Sequence, residues 1–205
     1  MAPIKIGFIG LSSSQSWAVW AHLEYLKSTK KYEVVALCNS SVDSAKAAIA
    51  AHGLAPTTKA YGTPEDLAAD PNVELVVCSV RVDKHYDALL PALKAGKDAF
   101  CEWPLAKDAA QAEELVKVAK EKGVKTVVGL QAGVSPTLLK LKQIVDSGRI
   151  GKVLSSTFHG TTTGAGATEW EGLSYMNDRS TGGNLLTIYT VHCEFTSSAS
   201  PSFFL

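Results

Sequence analysis

Along the first 130 residues or so, short apolar, β-branched runs alternate with longer segments whose apolar residues recur at helical spacing. This alternation constrains the chain more than any other feature, because it implies βαβ units and a parallel sheet. Strands are expected at Ile4–Gly10, Val34–Cys38, Leu75–Val80, Ala99–Cys101 and Thr126–Leu130. Between them the spacing predicts helices near Gln15–Ser28, Val42–Ala51, Pro64–Ala69, Lys84–Ala95 and Asp108–Lys122. Asp83 and Asp108 stand where helix N-caps would be, Pro64 suits a first helical turn, and Gly96 and Gly123 follow the helices they end. Ala109, Ala112, Leu115, Val116 and Ala119 make a narrow apolar stripe, as on a helix lying against a sheet. The expected fold class is therefore α/β, a doubly wound parallel sheet over residues 1–132.

The texture changes after Gln131. Ser135-Pro136 opens another amphipathic helix through Val145, Gly148 ends it, and Lys152–Phe158 alternates as a strand would. A Gly/Thr-rich stretch from Gly160 to Thr168 follows, then Gly182-Gly183. One strand and one helix bury too little apolar surface to offset chain entropy, so residues 133–192 are expected to be an incomplete α+β second domain. The last stretch, 193–205, is low in complexity without element periodicity and is expected to be a disordered tail.

Twenty basic and twenty acidic side chains cancel, and no basic block is present, which argues against direct nucleic-acid binding. Cys38, Cys78, Cys101 and Cys193 lack paired metal spacing, so no metal is expected, and the first three read as reduced, buried residues. The N-terminus enters a strand without a signal-peptide pattern, and no apolar run nears the roughly 20 residues needed to cross a bilayer. The expected location is the cytoplasm, with the nucleus open to a partner-carried protein, and no membrane partner.

Gly7-Phe8-Ile9-Gly10-Leu11-Ser12-Ser13-Ser14-Gln15-Ser16-Trp17 is a strand turning through glycine and small polar residues into a helix. Such a Rossmann-type turn lets backbone N–H groups approach a pyrophosphate, which makes Gly10, Leu11, Ser12, Ser13, Ser14 and Gln15 candidate cofactor-binding residues. Serines stand where the later glycines of that fingerprint are usual; they still permit close approach and add hydroxyl donors. The other reading is a plain strand-to-helix turn capped by serine. At the end of the second strand, Cys38-Asn39-Ser40-Ser41 has no carboxylate for a ribose 2′-hydroxyl and no arginine for a 2′-phosphate. Asn39 and Ser40 are candidates there; the balance leans to NADP, with NAD open.

Ala95-Gly96-Lys97-Asp98-Ala99-Phe100-Cys101-Glu102-Trp103-Pro104-Leu105-Ala106 resembles the glucose-fructose oxidoreductase, inositol dehydrogenase and MocA family, whose members carry Glu-Lys-Pro here. Val82–Tyr86 and the crossover Gly148–Val153 resemble it too. The resemblance implies a nicotinamide dinucleotide near Val80, Arg81, His85, Glu102, Trp103, Pro104 and Gln131. It also implies that a lysine would contact cofactor and substrate and assist proton transfer where this chain has Trp103, and an indole does not titrate in the accessible range. Trp103 could stack on the nicotinamide or pack a domain interface. The second-domain signature keeps Gly182, Gly183 and His192, but Thr187 replaces the family's aspartate. His192 and Tyr175 are left as candidate proton-handling residues.

Glu-Trp-Pro-Leu-Ala, the Gly-Phe-Ile-Gly-Leu opening with Trp17-Ala18, and Leu130-Gln131 before Ser135-Pro136 resemble the fungal galactose-regulon repressor-like subgroup. That resemblance implies a catalytically impaired, dinucleotide-binding regulator whose partner is a protein such as a transcription activator. Gln131-Ala132-Gly133-Val134 departs from it in lacking basic residues. Two other functions remain open, an NAD(P)-dependent oxidoreductase on a sugar or polyol, and a truncated product that keeps only dinucleotide binding. Truncation would remove the family's homo-oligomer interface. His22, His52 and His159 read as surface or structural histidines, and Trp170, Tyr175, Asp178 and Arg179 as cleft or loop residues.

Overall fold

The computed structural model describes residues 2–155, 157, 174–184, 187, 188 and 192. The chain divides into two compact units, Met1–Gly129 and Leu130–Leu205. In the first, strands β1 (Ile4–Ile9), β2 (Tyr32–Cys38), β3 (Lys59–Tyr61), β4 (Leu75–Cys78), β5 (Asp98–Glu102) and β6 (Thr126–Gly129) form one sheet. Their order is β3-β2-β1-β4-β5-β6 and every ladder is parallel. The chain works outward from β1 to β3, then returns to the other side of β1 to place β4, so the strand order reverses beside β1.

Successive residues on a strand face opposite sides of a sheet. Here both sides are buried: Val76 and Cys78 of β4 enter one core and Val77 the other, as do Ile9 and Phe8 of β1. This is why the strands read as continuous apolar runs rather than as an alternation. One core receives α3 (Pro64–Ala69), α4 (His85–Lys94) and α5 (Ala109–Lys122) through Leu67, Leu89, Leu93, Leu115 and Ala119. The other receives Ala18, Leu23 and, from α2 (Val42–Ala51), Ala45 and Ala48.

The helix ends follow local chemistry. Asp108 accepts from Gln111 N at 2.9 Å to cap α5, and Gly123 closes that helix in the left-handed conformation. Thr63 caps α3 ahead of Pro64. Asp83 does not cap: it lies inside a 3₁₀ turn, Val82–Lys84, and its carboxylate is taken by Arg81. The expected first helix begins at Trp17 rather than Gln15 and contains a π-helical turn, Val19–Leu23, ahead of α1 (Glu24–Ser28). Strand β3 was not expected; three residues are too few to display a period. Val116 lies off the buried stripe of α5, 41% exposed.

The second unit contains a 3₁₀ turn Gln131–Val134, helix α6 (Pro136–Asp146) with proline in its first turn, and 3₁₀ turns Ser174–Asn177 and Arg179–Thr181. Of the strand expected over Lys152–Phe158, the described residues 152–155 and 157 are in no strand. Phe158, His159, the Gly/Thr-rich stretch 160–168, Trp170 and the tail 193–205 with Cys193 lie outside the described residues. No helix among the described residues is long and apolar enough to cross a membrane.

Candidate functional site

Ligands of doubly wound sheets sit beyond the carboxyl ends of the strands, where the strand order reverses. Gly10 occupies that point. Its N–H donates to Cys38 O of β2 at 3.0 Å, and Ser79 N after β4 donates to Ile9 O at 3.0 Å. Gly10 has φ +96°, and a Cβ on it would lie 2.4 Å from Ser79 O and 2.5 Å from Val80 Cγ1. The turn can pass here only because residue 10 has no side chain. That cradle fits the close backbone approach a pyrophosphate needs.

The rest of the turn is anchored from beneath and left open above. Leu11 is buried, whereas Ser13, Ser14 and Gln15 are exposed. Asn39 Nδ2 donates to Leu11 O at 2.9 Å and also reaches Ser44 O at 3.4 Å, while His52 Nε2 donates to Ser12 O at 2.6 Å. Ser14 N donates to Ser12 Oγ at 3.2 Å, and the side chains of Gln15 and Trp20 are hydrogen-bonded. Ser40 is exposed just before Ser41, which caps α2 by accepting from Ser44 N at 3.1 Å. A shallow hollow lined by Lys46, Ile49, Leu54 and Pro56 shares no residue with this turn.

On the β4–β5 side, Val80 is half-buried and Arg81 exposed, its guanidinium donating to both Asp83 oxygens at 2.6 and 2.7 Å. That pairing holds the Asp83 carboxyl below the usual carboxylate range. His85 is 1% exposed, with Nδ1 2.8 Å from Pro104 O and Nε2 3.0 Å from Val80 O. Burial lowers the His85 pKa, so a neutral ring has one N–H for which two carbonyls compete. It ties the strand ends from below rather than facing the opening. The Trp103-Pro104 peptide is cis; Trp103 is half-buried and Pro104 buried. Glu102, the last residue of β5, is 9% exposed and pairs with His22 from the π-helical turn.

The Sγ atoms of Cys78 and Cys101 and a ring nitrogen of His85 lie within 4.8 Å of one another. The sequence spacing did not announce this cluster. Its thiols and ring are already engaged: a hydrogen bond from Cys78, then burial, pushes the Cys101 thiol up, and the His85 nitrogens face carbonyls. Burial likewise raises Cys38 to about 11.

The remaining candidates belong to the second unit. Gln131 is exposed at the start of its 3₁₀ turn. Tyr175 and His192 are half-buried. Thr187 Oγ1 donates toward Gly182 O at 2.9 Å and accepts from Asn184 N at 3.0 Å, so the residue at the aspartate position serves the backbone of the glycine loop.

Two side chains of the first unit matter more than their sequence context indicated. His22 lies 80 residues from Glu102, and His52 lies 40 from Ser12. The available signal was that His22 shares the helical stripe of Ala18, Leu23 and Leu26, an imidazole on a face that must be buried.

Residues 4–130 match the oxidoreductase family with an NAD-binding Rossmann fold, and residues 136–195 match the C-terminal domain of Gal80p. Dehydrogenase aclE of Aspergillus oryzae is 37% identical over 193 residues, 92% of this chain and 52% of that protein. The galactose/lactose metabolism regulatory protein GAL80 of Saccharomyces cerevisiae is 32% identical over 161 residues, 75% of this chain and 37% of that protein. A crystal structure of a super-repressor mutant of yeast Gal80p superposes with a TM-score of 0.87 at 28% identity, covering 96% of this chain and 54% of that one. KijD10, a 3-ketoreductase of Actinomadura kijaniata in complex with NADP, superposes with a TM-score of 0.63 at 29% identity, covering 75% of this chain and 47% of that one. The chain thus spans about half the length, or less, of these relatives.

Proposed function

We propose, from the premise that the chain belongs to the oxidoreductase family with the NAD-binding Rossmann fold, that it is a dinucleotide-binding regulator impaired in catalysis. NADP or NAD would lie across the ends of β1, β2, β4 and β5. Gly10 and Ser12–Ser14 would meet the pyrophosphate, Asn39 and Ser40 the adenosine ribose, and Val80, Glu102 and Trp103 the nicotinamide half. When bound, the cofactor can exchange hydride at its nicotinamide. The observation that carries the regulatory reading is Trp103, which follows Glu102 at the strand end and whose indole does not titrate in the accessible range, so that it cannot act as a general acid or base. Thr187, whose hydroxyl bonds Gly182 O, adds to it.

The partner in this reading is a protein such as a transcription activator, met in the cytoplasm or nucleus. Its support is the likeness to GAL80, a regulatory protein by name. The likeness to a dehydrogenase favours a second reading, an oxidoreductase on a sugar or polyol with Tyr175 or His192 handling the proton.

Calorimetric titration of the purified chain with NAD, NADH, NADP and NADPH, beside a turnover assay over sugars and polyols, tests both. Binding without turnover is expected. Measurable oxidation of any substrate would replace the regulator with the enzyme, and no binding of any of the four dinucleotides would remove both readings.

A further inference from the structure

Glu102 is a nearly buried carboxylate in an unusual seat. One oxygen meets His22 Nε2. The other lies over Gly129, where a Cβ would approach Oε2 to 3.0 Å, so the missing side chain at 129 gives the carboxylate its room. The His22 ring is edge-on to Phe8 and Phe100, with centroids at 6.0 and 5.5 Å, and is delivered by the π-helical turn that follows the serine turn. Single π turns inside helices recur at functional sites.

Among the described residues no lysine or arginine pairs with Glu102, whose side-chain partner is the imidazole of His22. Arg81, after β4, is turned to Asp83, and the residue after Glu102 is an uncharged tryptophan. A carboxylate in so dry a place is stabilised by any cation brought beside it. The two redox forms of a nicotinamide dinucleotide share adenine, riboses and pyrophosphate. They differ in that the oxidised ring carries a formal positive charge and the reduced ring none. A fixed charge at the end of β5 therefore acts on the ratio of their affinities.

We propose that Glu102, positioned by His22 and Gly129, makes the site select the oxidised over the reduced dinucleotide. This rests on the dinucleotide reading above and deepens it, because a regulator so built reports the redox state of its ligand. The discrimination expected from one such charge in a partly dry site is about tenfold.

The test is calorimetric titration of the full chain with the oxidised and reduced forms of both dinucleotides, for the wild type and for Glu102→Gln, Glu102→Asp and His22→Ala. Circular dichroism and a thermal melt check folding. The wild type should bind the better-fitting dinucleotide about tenfold more tightly when oxidised. Glu102→Gln, isosteric and uncharged, should bring that ratio close to one, mainly by weakening the oxidised form. Glu102→Asp should keep most of the preference, and His22→Ala should lose part of it. A role in holding the fold alone would weaken both forms equally and leave the ratio unchanged. An unchanged ratio in folded Glu102→Gln overturns the proposal, as does a wild type that binds both forms equally even if Glu102→Gln fails to fold. Both results leave the dinucleotide reading intact. Binding of no form would overturn the two together.

Discussion

Where the strands of the first unit begin, polar side chains are spent on the fold itself. Lys97 Nζ donates to Asp70 O and Val73 O at 3.0 and 2.7 Å, and the Asp70 carboxylate receives Lys59 Nζ, Tyr61 OH and Asn72 N at 3.2, 3.0 and 3.0 Å. Glu74 and Asp98 accept Lys5 N and Lys125 N, each at 2.8 Å. Where the strands finish, the side chains bond the backbone from below and leave the serine turn open, as Asn39 does for Leu11 O and His52 for Ser12 O. One end closes its hydrogen-bonding groups against each other; the other leaves Ser13, Ser14 and Gln15 exposed. Stability and binding should accordingly separate along the strand direction.

Gly10 is where that separation should fail, because the turn and the β1–β4 contact share it. Gly10→Val would force φ +96° on a branched residue and drive a Cβ to 2.4 Å from Ser79 O. Backbone strain and overpacking together should remove about 3–5 kcal/mol of stability, and dinucleotide binding should fall by more than about 100-fold. Denaturant unfolding and calorimetry check the two effects. A variant that kept wild-type affinity would detach the site from Gly10.

Asp70→Ala should do the reverse. It strands the Tyr61 hydroxyl and the Asn72 N–H, at a cost of about 2–4 kcal/mol, while dinucleotide affinity stays within about twofold. Burial opposes the charge of Asp70, but the hydrogen bonds from Asn72, Lys59 and Tyr61 outweigh it and lower the pKa in the fold. The stabilisation is then fully present above the unfolded value, about 3.9, and is lost as pH falls through the lower folded value. Urea midpoints of wild type and Asp70→Asn should therefore converge at pH values below about 4. A constant gap would mean that shape, not charge, is what Asp70 supplies.

Asn39→Ala sharpens the other half of the comparison. It deletes the 2.9 Å bond to Leu11 O, worth about 1 kcal/mol to the fold, and with the turn less firmly held affinity should drop by about fivefold or more. A larger loss of stability than of affinity would make Asn39 part of the frame rather than of the site.

How much of this was legible follows the range of the interactions. Both faces are buried along β1, β2, β4 and β5, so these announce themselves as apolar runs, the edge strand β6 reads as a short β-branched run, and Asp108 and Gly123 mark α5 by chemistry local to its ends. Lys59–Tyr61 is invisible as a strand because three residues hold neither a period nor an apolar run, and its pairing is set by β2. Asp83 looks like a cap until Arg81 is seen to take its carboxylate. The serine turn and Glu102-Trp103-Pro104 could be read, since each is a contiguous motif. His22 and His52 could not be assigned roles, because their partners are 80 and 40 residues away and only the sheet order brings them close.

The smallest expected effect bears on those serines. Ser12 Oγ accepts from Ser14 N at 3.2 Å in an exposed setting, where water can take over the bond when the hydroxyl is removed. If the turn works through its backbone, held by Asn39 and His52 on carbonyls that Ser12→Ala leaves in place, the substitution should weaken dinucleotide binding by about twofold or less. If instead the hydroxyl itself meets a phosphate oxygen, the loss should approach about tenfold, the size of a hydrogen bond to a charged group. Titrating Ser12→Ala beside Asn39→Ala separates the two. A Ser12 effect larger than the Asn39 effect would mean that serine at the glycine position adds a ligand contact instead of merely permitting close approach.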